Sequence, residues 1–327
     1  MAGQLWSVNS LGGFFYSLNL SNELREALQP QARFRQFCDV KDASMQGKQK
    51  GQTFTWDVVQ NVATAGGTLV ETNTMPETNF TIVQGTLTIT EYGNSVPYSG
   101  KLEALSKFEV RKPVMQALRN DAAKTFDRAA WTQFNNALLR VVPGAGTSTT
   151  SLNLTTNGTA TVTNNAAFSN VYAKLIVDTM KERNIPAYTG DDYVAIGWPT
   201  TYRTLKNNLE TIHQYTVPGI QLIFNAEIGR YENVRYVEQT NIPKGRSTDG
   251  GLTGTAWTNA LSDWIFFMGE DTVVEGIAIP EEMRAKIPTD YGRSKGVAYY
   301  YLGGFGIVHA SSSAVTESRI VVWDSAA

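Results

Sequence analysis

Cysteine and histidine are almost missing from this sequence. Its 327 residues include one cysteine, Cys38, and two histidines, His213 and His309. A single thiol excludes an intrachain disulfide and suits a reducing compartment, and no Cys/His cluster has zinc-ligand spacing. Free cysteine is among the most buried residue types, so Cys38 is expected in an apolar pocket. An excess of charge of either sign is also missing: 28 Lys+Arg against 30 Asp+Glu leave a net charge of -2. A dedicated nucleic-acid binder carries a basic excess, because phosphate contacts by Lys and Arg dominate its affinity. Long hydrophobic runs are absent. The most apolar window, Trp264-Ile265-Phe266-Phe267-Met268, has strand length and falls far short of the ~20 residues that span a bilayer. Met1-Ala2-Gly3-Gln4-Leu5-Trp6 has neither the basic start nor the apolar run of a secretory signal. A soluble product that stays inside the cell, with no membrane partner, is therefore expected. On that reading the sequons at Asn79, Asn153 and Asn157 meet no glycosylation route.

What is present is ample for a packed core: 42% of residues are hydrophobic, which rules out wholesale disorder, and the length suits about two domains. Asn19 to Leu28 has helical character, with Ser21 as a cap and Leu24 and Leu28 one turn apart. Lys41 to Gly51, with Lys48 and Lys50, predicts an exposed turn. From Thr53 the pattern becomes strand. Phe54, Trp56 and Val58 alternate with polar residues, and Thr81-Ile82-Val83 and Thr86 to Thr90 are rich in β-branched residues. Ala65-Gly66-Gly67 and Met75-Pro76-Glu77 break the run. This predicts a long two-armed β excursion from Thr53 to Tyr98, unusually large for a connection within one compact domain. A protrusion of that kind has faces that something else must cover.

Pro113 to Arg140 holds no glycine and no further proline. Met115, Leu118, Ala122, Phe126 and Ala129, then Ala130, Phe134, Ala137 and Val141, recur at three- and four-residue steps and predict a helix roughly 40 Å long. Its aromatics are expected in the core. No charged residue occurs between Arg140 and Lys174, and the Thr/Asn-rich stretch 144–165 predicts a polar loop or β-hairpin on the outer surface. An α/β region follows: a helix over Ala166 to Arg183, a buried strand Tyr193 to Gly197, a short helix from Pro199 to Leu209, a strand Asn233 to Glu238, a Gly/Thr-rich loop at 241–256, and a core strand Trp264 to Met268. The chain ends in strands over Val297 to His309 and Arg319 to Trp323. No repeat of solenoid period is present.

Catalytic machinery is not apparent. Neither histidine has a Cys, Glu or second His at ligand spacing. No G-x-S-x-G elbow occurs. Gly303-Gly304-Phe305-Gly306 lies in an expected strand with no helix after it, so it fails the dinucleotide-binding fingerprint. Gly47-Lys48 lacks the Ser/Thr of a phosphate loop. The acidic pairs Asp191-Asp192 and Glu281-Glu282 alternate sides on a strand and are expected at the solvated surface. In Tyr299-Tyr300-Tyr301 the outer two share a face, which points to packing or a subunit contact before base stacking.

Two observations carry a resemblance. One is the run Phe224-Asn225-Ala226-Glu227-Ile228-Gly229-Arg230-Tyr231-Glu232-Asn233-Val234-Arg235-Tyr236-Val237-Glu238. It resembles the G-E-I-G-x-x-x-x-x-R-[F/Y]-V-E run of one phage coat subfamily, with Ala226 where glycine is common. The other is the order of parts over nearly the whole chain: terminal arm, lysine-containing turn, two-stranded excursion, long helix, α/β unit, β return. Together they resemble the major capsid protein of tailed bacteriophages with the HK97 fold.

The resemblance implies an α+β fold of HK97 coat type. Its divisions would be an N-arm at 1–45, an extended β-hairpin or E-loop at 46–99, the spine helix and peripheral domain at 100–165, an α/β axial domain at 166–272, and a β return to the peripheral domain at 273–327. It implies a structural protein, not an enzyme, that self-assembles as hexamers and pentamers into an icosahedral virion shell around double-stranded DNA. Scaffolding and portal proteins would act during assembly in the host cytoplasm, with room for a decoration protein and non-specific proximity to packaged DNA. No fused scaffolding leader, no metal and no cofactor are expected. Lys48 and Lys50 sit near the base of the excursion, away from the tip where a crosslinking lysine would belong. The expected assembly contacts are Phe54, Trp56, Val58, Phe80, Ile82, Leu87 and Ile89. A β-rich tail or other structural virion component is the alternative, with an enzyme behind it.

Overall fold

The computed structural model describes residues 28–43, 52–62, 66–72, 74–106, 109–144, 150–160, 166–213, 230–242, 263–309 and 316–325. The expected helix at 19–28, Lys48 and Lys50, the coat-like run before Arg230 and the loop after residue 242 lie outside them. A 3-10 turn, Phe34–Phe37, precedes strand β1 (Asp39–Asp42); β2 (Thr53–Val59) and β3 (Ile82–Thr88) follow, then β4 (Thr90–Ser99), helix α1 (Gly100–Leu105) and helix α2 (Arg111–Asn135). Next come β5 (Leu139–Pro143), β6 (Leu152–Thr155), α3 (Asn170–Glu182), β7 (Tyr193–Gly197), α4 (Arg203–His213), β8 (Arg230–Tyr231) and β9 (Val234–Glu238). The chain closes with β10 (Asp263–Met268), β11 (Val273–Ala285), β12 (Ser294–Ile307) and β13 (Ile320–Ser325).

Helix α2 is the axis of the molecule. Its 25 residues make a rod of about 37 Å at ~1.5 Å per residue. Val114, Leu118, Ala122, Phe126, Ala130 and Phe134 are buried at the spacing of one helical face, and Trp131 joins them. Pro113 stands in the first turn, where its missing N–H costs nothing. The helix stops earlier than the apolar stripe predicted. Arg140 donates to the Asn135 carbonyl (2.7 Å) and to Asn135 Oδ1 (2.9 Å), satisfying acceptors at the helix end. Leu139, Val141 and Val142 then enter a sheet, parallel to β13. Their apolar spacing continues the helical stripe by coincidence, and β-branching at 141 and 142 together with pairing to β13 and β6 decides for strand.

Two sheets flank this rod. The seven-stranded sheet runs β6-β5-β13-β10-β7-β9-β8 and the four-stranded sheet runs β1-β11-β12-β4. Strand β10 lies inside the larger sheet between β13 and β7, which is why Trp264 to Met268 is buried throughout. The alternation assigns each face. Val194, Ile196, Trp264, Phe266, Met268 and Val322 point to α2, whereas Ala195, Ile265, Phe267, Val321 and Trp323 point the other way, onto Phe168, Tyr172, Ile176 and Leu205 from α3, α4 and the segment before α3. The four-stranded sheet covers the opposite side of α2 through Tyr299, Tyr301, Phe305 and Ile307. Tyr299 and Tyr301 do share a face and pack inward; Phe126 lies 4.7 Å from Tyr301 between ring centroids. The Thr/Asn-rich stretch supplies β6, an edge strand paired with β5.

The excursion differs in extent from its sequence pattern. Strands β2 and β3 pair in register from Thr53↔Thr88 to Val59↔Ile82 as a separate two-stranded ribbon. Residues Thr90 to Ser99 pair instead with β12, as an edge of the four-stranded sheet. The β-branched run therefore belongs to two sheets, and the chain changes partner at Ile89.

Candidate assembly surface

The base of the ribbon is seated on the face of β11 and β12 that α2 does not use. On β12, Tyr299, Tyr301, Phe305 and Ile307 occupy the helix side, and Leu302, Gly304, Gly306 and the following Val308 occupy the other. The glycines matter for the space they leave. A Cβ on Gly304 would lie 2.2 Å from the Thr88 carbonyl oxygen, and one on Gly306 would lie 2.7 Å from Leu87 Cβ and 2.9 Å from Trp56 Cη2. Opposite Gly304 in the ladder stands Gly276, whose added Cβ would meet Leu87 Cδ2 at 3.1 Å. The result is a flat patch into which Leu87 drops among Ala43, Ile89, Val274 and Ala278. Trp56 lies across its cross-strand partner Gly85, and its indole N–H donates to the Val308 carbonyl at 3.3 Å.

This arrangement divides the seven residues expected at subunit contacts. Leu87 and Ile89 are 2% and 6% exposed, inside the protomer, so in this conformation they hold the ribbon to its own sheet and have no surface to offer a neighbour. Phe54, Trp56 and Val58 are half-buried against the same cluster. Phe80 and Ile82, at the far end, are 63% and 53% exposed. Sequence reasoning missed Val59, Leu69, Val70 and Met75, which are also largely exposed beyond the seat. The available signal for Leu69 and Val70 was their place between the two breaker clusters, where none of the described residues forms a strand, whereas Val59 ends β2 opposite Ile82. Where β2 ends, the Asn61 N–H approaches Glu317 Oε1 at 3.4 Å, beside a cleft of about 530 Å³ formed with Arg183–Pro186 and Ser318.

A second apolar display sits at the β11–β12 turn. Asp290, Tyr291 and Gly292 all have positive φ (55°, 53° and 86°), a conformation that a residue like tyrosine seldom adopts. Ile287 and Tyr291 there stand almost wholly in solvent.

The described segment that leads from residue 28 into β1 is fastened by charge. Arg35 Nη2 lies 2.8 Å from Glu275 Oε1 and 2.9 Å from Glu281 Oε2. Its guanidinium stacks 4.6 Å from the Phe126 ring centroid. Burial alone would lower the Arg35 pKa, but the hydrogen bonds and charges of Glu281 and Glu275 outweigh it and hold it up. Tyr301 donates to Glu275 Oε1 at 2.8 Å. Beneath them Asp127 accepts from the Arg35 backbone N–H (3.3 Å) and from Asn241 Nδ2 (2.9 Å). Burial raises the Asp127 pKa and those hydrogen bonds only partly offset it.

The remaining sequence candidates take structural places. Cys38 is half-buried, with its sulfur 3.7 Å from the Phe34 carbonyl, and burial pushes its thiol pKa up, which keeps the thiol protonated. Asp192 corrects its expected surface place: it is buried, with Arg230 Nε at 2.6 Å and Arg235 Nε at 2.9 Å. The partners come from β8 and β9, some forty positions on, which spacing between neighbours does not reveal. Glu281 is bound to Arg35, and Glu282 pairs with Arg284. His309 is buried near Asp271 and Arg319, and burial lowers its pKa. The side chain of His213 lies outside the described residues. Among the described residues no group of three or more His, Cys, Asp or Glu is placed to hold a metal ion, and no helix is long and apolar enough to cross a membrane.

Residues 83–316 match the family model of the phage capsid protein. The chain belongs to that family. The match begins in β3 and runs through α2 to the residues after β12, leaving β1, β2 and β13 outside it. No curated protein matches by sequence. Solved capsids show the same fold at low identity. The capsid chain of cyanophage P-SCSP1u is 14% identical, with 95% of this chain and 93% of that one covered at a TM-score of 0.67. That of Ralstonia phage GP4 is 15% identical, with 98% of each covered, at 0.64. The head structure of Helicobacter pylori bacteriophage KHP40 gives 12% identity, 94% and 95% coverage, and 0.67. The expected α+β coat fold of HK97 type is therefore the fold of this capsid protein. Its role is structural, in the virion capsid, and not enzymatic.

Proposed function

We propose that this capsid protein builds an icosahedral shell of hexamers and pentamers around double-stranded DNA, each ribbon lying over a neighbouring copy. The observation that carries the reading is the exposure of Leu69, Phe80 and Ile82 beyond a ribbon base that is firmly seated on its own protomer. Apolar surface of that kind gains about 25 cal/mol per Å² when covered, and a second copy is available in every shell. The divisions proposed are arm (1–45), E-loop (46–99), spine helix and peripheral domain (100–165), axial domain (166–272) and β return (273–327). Phe80 and Ile82 are the contacts that this geometry favours among the seven expected; Phe54, Trp56 and Val58 support the ribbon from their half-buried side. Assembly in the host cytoplasm with scaffolding and portal proteins, and later decoration, belongs to the same reading. The test is a deletion within residues 60–80, followed by electron microscopy of the overexpressed protein. The trimmed subunit should fold with unchanged circular dichroism and form no shells; normal particles would remove the ribbon from assembly.

A further inference from the structure

We infer that Gly304 and Gly306, with the Trp56 latch, are positioning residues for assembly: they fix the direction in which the ribbon leaves the protomer, and hence which closed particle the copies form. The inference rests on the ribbon acting as the assembly arm. Neither glycine stands at a positive φ, so backbone conformation does not demand them. Space does. At both positions an added Cβ falls under 3.0 Å from the ribbon, against the Thr88 carbonyl oxygen and against Leu87 Cβ. These are main-chain or main-chain-proximal atoms, which no rotamer change can move aside. The ribbon must lift or tilt to make room.

Three more observations tie that seat to direction. Strand β3 continues into β4 through Ile89 alone, and Thr90 is already paired with Gly303 in the sheet ladder. One end of the ribbon is thus pinned, and a lift at Gly304 acts beside the pinned point. Trp56 pins the other strand through its bond to Val308, across 252 positions of sequence. The paired strands keep register to Val59↔Ile82 and therefore carry any tilt at the base to the exposed residues at the far end. A small angular change at the seat becomes a displacement of several ångströms at Phe80, since seven residues of strand span about 23 Å at ~3.3 Å each. A neighbour's surface would then be met at the wrong place. Opposite requirements on the two faces of β12, aromatic bulk toward α2 and absent side chains toward the ribbon, explain a composition that fits no nucleotide-binding motif.

The test uses Gly304→Ala and Gly306→Ala in the full chain, with Gly100→Ala as control, because Gly100 lies outside the ribbon and a Cβ there comes no closer than 3.7 Å to its surroundings. Spin labels on Glu71→Cys and Lys112→Cys, both exposed, in a Cys38→Ala background diluted with unlabelled chain, report the ribbon-to-helix distance. The two seat variants should shift or broaden that distance and lose closed shells in favour of open sheets, tubes or particles of altered size; the control should do neither. An unchanged distance, or a shifted distance with normal shells, overturns the inference. Should the alanine variants not fold, Trp56→Phe carries the test, since it removes the bond to Val308 without adding volume; the same broadening and the same loss are expected, and an unaltered distance overturns the inference. The tip deletion separates the two readings: if it spares shell formation the assembly-arm reading fails, whereas its loss of shells beside silent seat variants sinks only the seat.

Discussion

At the scale of residues, a buried ion pair and the carboxylates around Arg35 give different lessons. Arg140 and Asp324 are 5% and 0% exposed and 3.3 Å apart between β5 and β13. Removing one partner of such a pair leaves a desolvated charge, at a cost of about 3–5 kcal/mol, whereas replacing both by apolar groups is often near neutral. Asp324→Ala should therefore lower the urea unfolding free energy by that amount, and Arg140→Met/Asp324→Leu should recover most of it. Asp127 and Glu281 sit at the two ends of the Arg35 junction, and their surroundings shift their pKa values in opposite directions. Burial holds the Asp127 pKa up, so its contribution is complete below the unfolded pKa and is lost as pH rises through the folded value. Hydrogen bonding from Arg35 holds Glu281 down, so its contribution is present above the unfolded pKa and is lost as pH falls through the folded value. Relative to wild type, Asp127→Asn should gain stability as pH rises across the carboxylate range, roughly pH 3 to 7, and Glu281→Gln should lose it. Urea midpoints at each pH check both slopes; parallel curves would show that neither group titrates as its surroundings dictate. None of these pairs was legible in sequence, because a carboxylate at 127, 192 or 324 declares nothing about partners that only the fold brings close.

At the scale of elements, legibility followed periodicity. Helix α2, β2, β7, β10 and β12 each repeat a single pattern against a single environment, and the sequence shows them. Strand β11 escaped because Gly276 and Pro280 interrupt its alternation, and its pairing with β12 slips between Ile277 and Ile279 and again before Glu282. Strand β4 was merged into the ribbon because strand pattern does not state which partner a strand has. The same limit hid the difference between the two ends of β3, where equal apolarity serves unequal purposes. Leu87→Ala should destabilise the isolated subunit by about 2–5 kcal/mol, the cost of a large-to-small change in a packed site. Phe80→Ser/Ile82→Ser should leave subunit stability within about 0.5 kcal/mol, as for surface changes generally, while raising the concentration needed for assembly. Denaturant melts paired with sedimentation of assembly mixtures distinguish these; a large stability loss in the Phe80/Ile82 variant would mean that the ribbon's far end packs on its own protomer.

At the scale of the whole molecule, five layers follow one another: ribbon, four-stranded sheet, α2, seven-stranded sheet, and the pair α3 and α4. The inner boundaries are sealed by aromatic packing, and among the described residues the far end of the ribbon carries exposed apolar side chains. Net charge is only -2, so copies of the chain neither repel strongly nor attract through an overall field. Cohesion of a shell built from this subunit then falls chiefly to apolar contacts, and these respond to conditions in a known direction. Hydrophobic attraction weakens on cooling and strengthens with sulfate. Raising salt from ~0.1 to ~1 M shortens the screening length from ~10 to ~3 Å and removes long-range charge attraction. The critical concentration for assembly should accordingly fall on warming and on adding sulfate, and should hold steady or fall as sodium chloride rises. Light scattering of purified subunits across these conditions measures it. Shells that dissolve in sodium chloride would place the cohesion in ion pairs between copies, with the basic residues Arg284, Lys286, Arg293 and Lys295 around the exposed Tyr291 turn as the first to substitute.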